Sequence, residues 1–303
     1  MKEKTTAIKT ADLSSNTGID WYGQSWKERI FSHPERTVRV GTAFSGIGAP
    51  EMALQQLGIK HEVLFACDIN KSAKKSYLAN YPVKDWWDDV KALDAKKYKG
   101  KIDLFVAGVC CQPWSLAGKL KGLDDDRGQL FYQFVRVICE SAPKVWIFEN
   151  VANILRHKTE VDGEEVLSWS ILMKDMEKEF KKAGLHYHLH WRVLDAAEYG
   201  VPQHRERVFC IGFLDETGED KSDFLFPAPV KLEKCVLDYL DDKTPGKRTL
   251  TARERVRLMG FPDTFKQVVS DAQLSKQSGN SIVVDVMEAL YRQMDITKYG
   301  VEE

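Results

Sequence analysis

From Val38 onward, short apolar runs recur along the chain, each followed by turn residues and then by a segment with helical spacing. Residues 38–44 read as a first strand, and 51–57 as a helix ended by Gly58. Residues 62–67 form a second strand closing at Asp68, and 72–81 a helix stopped by Pro82. Further strands are expected at 102–107, 145–149, 186–193 and 207–213. Leu130, Phe134, Val137 and Ile138 fall near one face of a helix over 129–141. Ile171, Leu172, Met176 and Phe180 approximate the helical period over 165–182. This alternation predicts an α/β fold, a doubly wound and mostly parallel sheet covered by helices.

The pattern changes at both ends. Residues 1–37 are polar and irregular, an N-terminal arm that Trp21, Tyr22 and Trp26 would tack onto the body. Residues 38–213 carry the repeating units and form the expected main domain. Beyond them, 214–247 holds three prolines, many charges and no long periodic element, so a small second domain is expected over 214–268. Residues 281–290 read as a closing helix, in a C-terminal segment 269–303 that packs back on the sheet.

Composition narrows the function classes. Forty-four Lys and Arg against 45 Asp and Glu give a net charge of -1, which excludes a strongly basic nucleic-acid coat but not a local basic cleft. The six cysteines, at 67, 110, 111, 139, 210 and 235, show neither a disulfide framework nor a CxxC pair. Thiols in a reducing compartment, and no metal centre, are therefore expected. Met1-Lys2-Glu3-Lys4 lacks the apolar stretch of a secretory signal, and no membrane-length apolar run follows. The expectation is a soluble cytoplasmic protein.

Candidate chemistry gathers at the ends of the predicted strands, where α/β enzymes carry their sites. Phe44-Ser45-Gly46-Ile47-Gly48 follows the first strand and opens a helix. Asp68 closes the second strand 20 residues after Gly48, a spacing that suits bonds to ribose hydroxyls, and Asp89 is available for an adenine amino group. The turn reads either as a cofactor contact or as a structural bend. With no GxxxxGK segment and an incomplete GxGxxG, neither ATP nor NAD gains support. An adenosine without phosphates, as in S-adenosyl-L-methionine, suits glycines paired with acidic strand ends.

Cys111 lies in Gly108-Val109-Cys110-Cys111-Gln112-Pro113, directly after the strand predicted at 102–107. A thiolate there is a strong nucleophile, whereas burial as a small hydrophobe describes Cys67, Cys139 and Cys210. Glu149 ends another apolar run, and burial at a strand tip would raise its pKa toward use as an acid. The alternative is a helix cap. Arg205 and Arg207 alternate with Glu206, as a same-facing pair for a pyrimidine O2 and phosphates or as an ordinary ion-pair strand. Ser115 to Gly128 contains Gly118, Gly122 and Gly128 with Lys119, Lys121 and Arg127, which reads as a lid over nucleic acid or as an exposed loop.

Taken together, these motifs resemble the DNA (cytosine-5) methyltransferase family from Val38 to about Leu290, in its usual motif order. Phe44 to Gly48 matches its opening motif, and Gly108 to Pro113 its catalytic signature. Glu149-Asn150-Val151, Gln203-His204-Arg205-Glu206-Arg207, Leu250 to Arg255, Gly260 to Phe265 and Gln277 to Ser281 match later ones. The resemblance implies a Rossmann-like methyltransferase fold with a small target-recognition domain, S-adenosyl-L-methionine as cofactor and double-stranded DNA as substrate. It implies that Cys111 attacks C6 of a flipped cytosine while Glu149, Arg205 and Arg207 complete the catalytic set. The implied cofactor residues are Phe44, Gly46, Gly48, Asp68, Ile69, Asp89, Val90, Cys110, Leu130, Asn280 and Ser281. Those toward DNA are Gln112, Ser115, Lys119, Lys121, Arg127, Gln203 and Arg253. A monomer is expected, with a cognate restriction endonuclease as genetic partner.

Three departures stand out. Cys110 replaces a common proline, Asp68 a more frequent glutamate, and Ala49-Pro50 the more frequent second glycine. About 34 residues separate Phe213 from Arg248, a short recognition segment that predicts a short or degenerate site. Two rivals are a transfer-RNA methyltransferase of the same chemistry, whose own signature is not found in 214–247, and a noncatalytic DNA-binding relative. A zinc deaminase is excluded, because its ligand spacing does not occur.

Overall fold

The computed structural model describes residues 25–109, 129–215, 224–242 and 248–302. Five strands form a parallel half-sheet: β1 (Val38–Ala43), β2 (His61–Cys67), β3 (Asp85–Trp87), β4 (Leu104–Gly108) and β5 (Val145–Val151). Two later strands, β8 (Tyr187–Asp195) and β9 (Glu206–Leu214), complete a seven-stranded sheet in the order β3-β2-β1-β4-β5-β9-β8. β9 enters antiparallel to both β5 and β8. The sheet is therefore doubly wound and mostly parallel, as the alternation predicts.

Strand order reverses between β1 and β4, and in open α/β sheets ligands bind outside the carboxyl ends of strands at such a point. Register brings those ends together. Ala43 lies opposite Cys67, Gly108 opposite Glu149, and Val151 opposite Arg207.

Helices cover both faces, which is why the central strands read as unbroken apolar runs. Along β5, Val145 and Ile147 enter one core, while Trp146 and Phe148 enter the other. The first core is covered by α1 (Ala49–Gln56) and α7 (Val284–Met294), and the second by α3 (Leu130–Ser141) and α4 (Ser168–Ala183). α2 (Lys71–Asn80) contributes Tyr77 to the first. Phe226, Val256, Phe261 and Phe265 also join the first core, and Trp26 is buried in it. Trp21 and Tyr22 lie outside the described residues.

Several elements differ from expectation. β3 has only three residues, too few for a periodic signal. A hairpin of β6 (Lys158–Val161) and β7 (Glu164–Leu167) precedes α4, which starts at Ser168 rather than 165. Its turn, Asp162-Gly163, has positive φ at both residues, the conformation that Asp-Gly favours. α5 (Ala252–Arg257) and α6 (Asp271–Asn280) are short helices, capped by Thr251 and Ser270, with weak apolar faces. α7 begins three residues later than expected and runs on to Met294. No helix among the described residues is long and apolar enough to cross a membrane.

Candidate active site

The loop from β1 to α1 folds back on the end of β2. Phe44, Gly46 and Gly48 all have positive φ. Ser45 anchors the turn: its amide and hydroxyl donate to the Cys67 carbonyl at 3.0 and 3.1 Å, and its oxygen accepts from the Cys67 amide at 3.0 Å. Asp68 accepts from the Gly46 amide through one oxygen and from the Asn70 amide through the other, both at 2.8 Å. Its pKa is raised by burial, against those bonds. A Cβ at Gly48 would collide with the Tyr81 ring, whereas at Gly46 the nearest neighbour would be the Phe44 carbonyl at 4.0 Å. The first glycine is thus imposed by packing, and the second leaves backbone open to a ligand.

Beside this opening, Ile69 is an apolar side chain left 77% exposed. Asp89 is half-buried and accepts from the Lys91 amide at 2.9 Å, Val90 is buried, and Leu130 opens α3 half-buried. An open backbone, an exposed apolar face and two carboxylates at adjacent strand ends fit an adenosine-bearing cofactor without phosphates.

Behind the turn lies a buried polar chain that the sequence does not announce. Glu51 accepts from Thr42 at 3.0 Å and from Tyr77 at 2.5 Å, and Thr42 Oγ1 stands 2.8 Å from Ser45 Oγ. Burial raises the Glu51 pKa.

At the ends of β4 and β5, Glu149 is buried beside Arg207, with Nε 3.2 Å from Oε1. Its pKa is raised because desolvation outweighs the attraction of Arg207 and Arg205. A Cβ at Gly108 would stand 3.3 Å from Glu149 Oε2, so the missing side chain gives the carboxyl its room. The buried Asn150 donates from Nδ2 to the Val109 carbonyl at 3.2 Å. That bond fixes the chain immediately before Cys110 and Cys111.

Residues 38–247 and 242–295 match the profile of the C-5 cytosine-specific DNA methylase family. The chain belongs to this family. Among relatives, M.SsoII, a type II methyltransferase of Shigella sonnei, is 29% identical over 308 residues, covering 82% of this chain and 77% of that protein. The orphan methyltransferase M.Rho11sI of Bacillus phage rho11s is 35% identical over 249 residues, 79% of this chain and 47% of the phage protein. The methyltransferase EhMeth of Entamoeba histolytica shares the fold at a TM-score of 0.66 with 16% identity, covering 86% of this chain and 98% of the other.

In this methylase the two arginines are not a matched pair on one strand. β9 starts at Glu206, so Arg205 precedes it. Its Nη2 donates to the carbonyls of Gly279 and Ser281 at 2.9 and 2.8 Å, and its amide donates to Asp195 at 2.8 Å. Arg207 forms the ion pair with Glu149 at 3.2 Å, and Arg205 adds to the attraction on that carboxyl. Arg205 therefore ties the approach to β9 to the segment holding Asn280, which is exposed, and Ser281, which is buried with its hydroxyl on the Ile282 carbonyl at 2.9 Å.

Of the residues expected toward DNA, Gln203 donates to the Leu258 carbonyl at 2.8 Å and Arg253 to the Phe265 carbonyl at 2.9 Å. Cys110, Cys111, Gln112, Ser115, Lys119, Lys121 and Arg127, with the expected lid over 115–128, lie outside the described residues. An open cleft of about 680 Å³ runs past Asn153, Gln203, Arg205 and Arg207. His204 and Asp195 also line it, 2.8 Å apart, and that hydrogen bond raises the His204 pKa. The sequence reading missed this pair, since only the turn between β8 and β9 brings the two together.

Proposed function

We propose that this methylase modifies cytosine in duplex DNA through a transient bond from Cys111 to carbon 6 of the ring, with S-adenosyl-L-methionine as methyl donor. The observation that carries the reading is Glu149, buried at the strand end with a pKa that burial raises, beside the residues that lead into Cys111. Carbon 5 of cytosine is too weak a nucleophile to take a methyl group directly. As the Cys111 sulfur bonds to carbon 6, electron density moves onto the ring and makes carbon 5 nucleophilic. The ring accepts this density if N3 receives a proton or a strong hydrogen bond, which a protonated Glu149 supplies. Arg207 holds that carboxyl in place, and Asn150 steadies the approach to the thiol. When bound, the cofactor supplies an electrophilic methyl group. Asp68 and Asp89 would receive its ribose hydroxyls and adenine amino group, with Ile69 against the base and the Gly46 backbone left clear. After methylation, water takes the carbon 5 proton, the carbon–sulfur bond breaks to restore the thiolate, and N3 returns any proton it took to Glu149.

Segment 214–268 is proposed as the target-reading part. A genetic pairing with a restriction endonuclease fits the type II name of the Shigella relative, the orphan name of the phage relative marks the alternative of a lone enzyme, and the acting unit is proposed to be a monomer.

Tritiated methyl transfer to duplex DNA and to transfer RNA tests the substrate. DNA carrying 5-fluorocytosine tests the bond, because fluorine cannot leave as a proton does. The wild type should stall as a covalent adduct, and Cys111→Ser should bind DNA without forming one. Transfer to RNA alone, or an adduct that survives in the serine variant, overturns the reading.

A further inference from the structure

A second cluster of ligating side chains lies at the other end of the sheet. β9 runs antiparallel to β5, so it starts beside the active site at Glu206 and ends at Leu214, whose amide donates to the Lys144 carbonyl at 2.9 Å. β8 is the edge strand beside it. The ladder pairs His188 with Phe213 and Tyr187 with Leu214, and the Asp215 amide extends it by donating to the His186 carbonyl at 3.0 Å. Side chains alternate along a strand, and directly opposed residues share a face. His186, His188 and Asp215 therefore converge on one face of the β8–β9 pair.

The side-chain geometry agrees. His186 Nδ1 and His188 Nε2 each lie 3.0 Å from a different oxygen of the Asp215 carboxylate. The three ligand atoms lie within 4.8 Å of one another. The two imidazole rings stand nearly perpendicular, with centroids 5.4 Å apart.

We propose that His186, His188 and Asp215 bind one divalent transition-metal ion of the zinc class, which staples the edge strand β8 to β9. Two imidazoles and one carboxylate suit such a borderline cation. Calcium and magnesium take all-oxygen sets, and copper(I) favours thiolates. Bonds of about 2.1 Å in a tetrahedral site separate ligand atoms by roughly 3.4 Å, near the 3.0 Å between each nitrogen and its own carboxylate oxygen, and the widest separation, within 4.8 Å, closes by side-chain rotation. His186, 72% exposed, can turn its ring to close the set, and water completes the coordination. The strand ladder already fixes all three backbones, so binding orders little beyond side-chain torsions. None of the described cysteines, where a metal site would first be sought, joins the set. Spacing along the chain could not find this site, because Asp215 lies far from the His-x-His pair and joins it only across the ladder.

The full chain, stripped with a chelator, would be titrated with zinc by calorimetry and with cobalt by absorption. One zinc per chain is expected, with a rise in the melting temperature. The cobalt spectrum should carry d–d bands without sulfur charge transfer. His188→Ala and Asp215→Asn should weaken zinc binding about tenfold or more and abolish the melting shift, with methyl transfer unchanged. His186→Gln, at the most exposed ligand, repeats the test should His188→Ala fold poorly. No stoichiometric uptake, uptake that ignores these substitutions, or a thiolate band in the cobalt spectrum overturns the proposal.

Discussion

At Glu149, two opposed influences act on one proton. Arg207, 3.2 Å away, favours the ionised carboxylate, and burial favours the neutral acid; burial prevails. A raised folded-state pKa means that the acid stays protonated above the ordinary glutamate range and ionises only as pH rises through the raised value. The chemical step, which uses the protonated form, should therefore fall away along an alkaline limb. Glu149→Gln cannot titrate, so its single-turnover profile should lose that limb, and its rate should drop by roughly 10²–10⁴-fold. A variant near the wild-type rate would remove Glu149 from the chemistry. The burial of this carboxyl near a strand tip was legible in the sequence, because an acid at the end of an apolar run is conspicuous. The task of its neighbour was not: that Asn150 donates to the Val109 carbonyl depends on the register of β4 against β5, which no local pattern records.

Among the elements, strands buried on both faces were read well, since burial demands an unbroken apolar run. The misses are elements whose formation owes little to an apolar pattern. β3 is three residues of edge strand, the β6–β7 hairpin rests on its Asp-Gly turn, and α5 and α6 rest on their caps. The turn between β1 and α1 was legible in its glycines, but not in which of them is constrained by what. Gly48 has φ +79 with the Tyr81 ring against it, and Gly46 has φ +56 with open space. Gly48→Ala should therefore combine backbone strain with a clash and cost about 1–3 kcal/mol in urea unfolding. Gly46→Ala carries the strain alone and should cost about 1 kcal/mol. Its larger effect should be a raised KM for S-adenosyl-L-methionine with the KM for DNA unchanged. Equal stability losses in the two variants would show that Tyr81 does not enforce the turn.

For the molecule as a whole, a net charge of -1 gives no long-range attraction to a polyanion, so sequence recognition must come from a few local contacts. The segment proposed for them, 214–268, is short, and the arginines among its described residues are already engaged. Arg248 is committed to Glu254 at 2.6 Å, and Arg257 to Asp241 at 2.7 Å and Asp263 at 2.6 Å. Arg253 donates to the Phe265 carbonyl at 2.9 Å and Arg255 to the Leu250 carbonyl at 3.2 Å. An arginine that reads guanine bidentately discriminates by about 1–3 kcal/mol, but one already held inside the fold must first give up those bonds. Few base pairs can then be specified, and we predict a site of about two to four, with degenerate positions. Unmethylated genomic DNA treated with the purified methylase and sequenced after bisulfite conversion should carry methylation at many short, related sites. Methylation confined to a single long palindrome would mean that these arginines release their partners on DNA, and that the recognition surface is larger than the fold of the free protein presents.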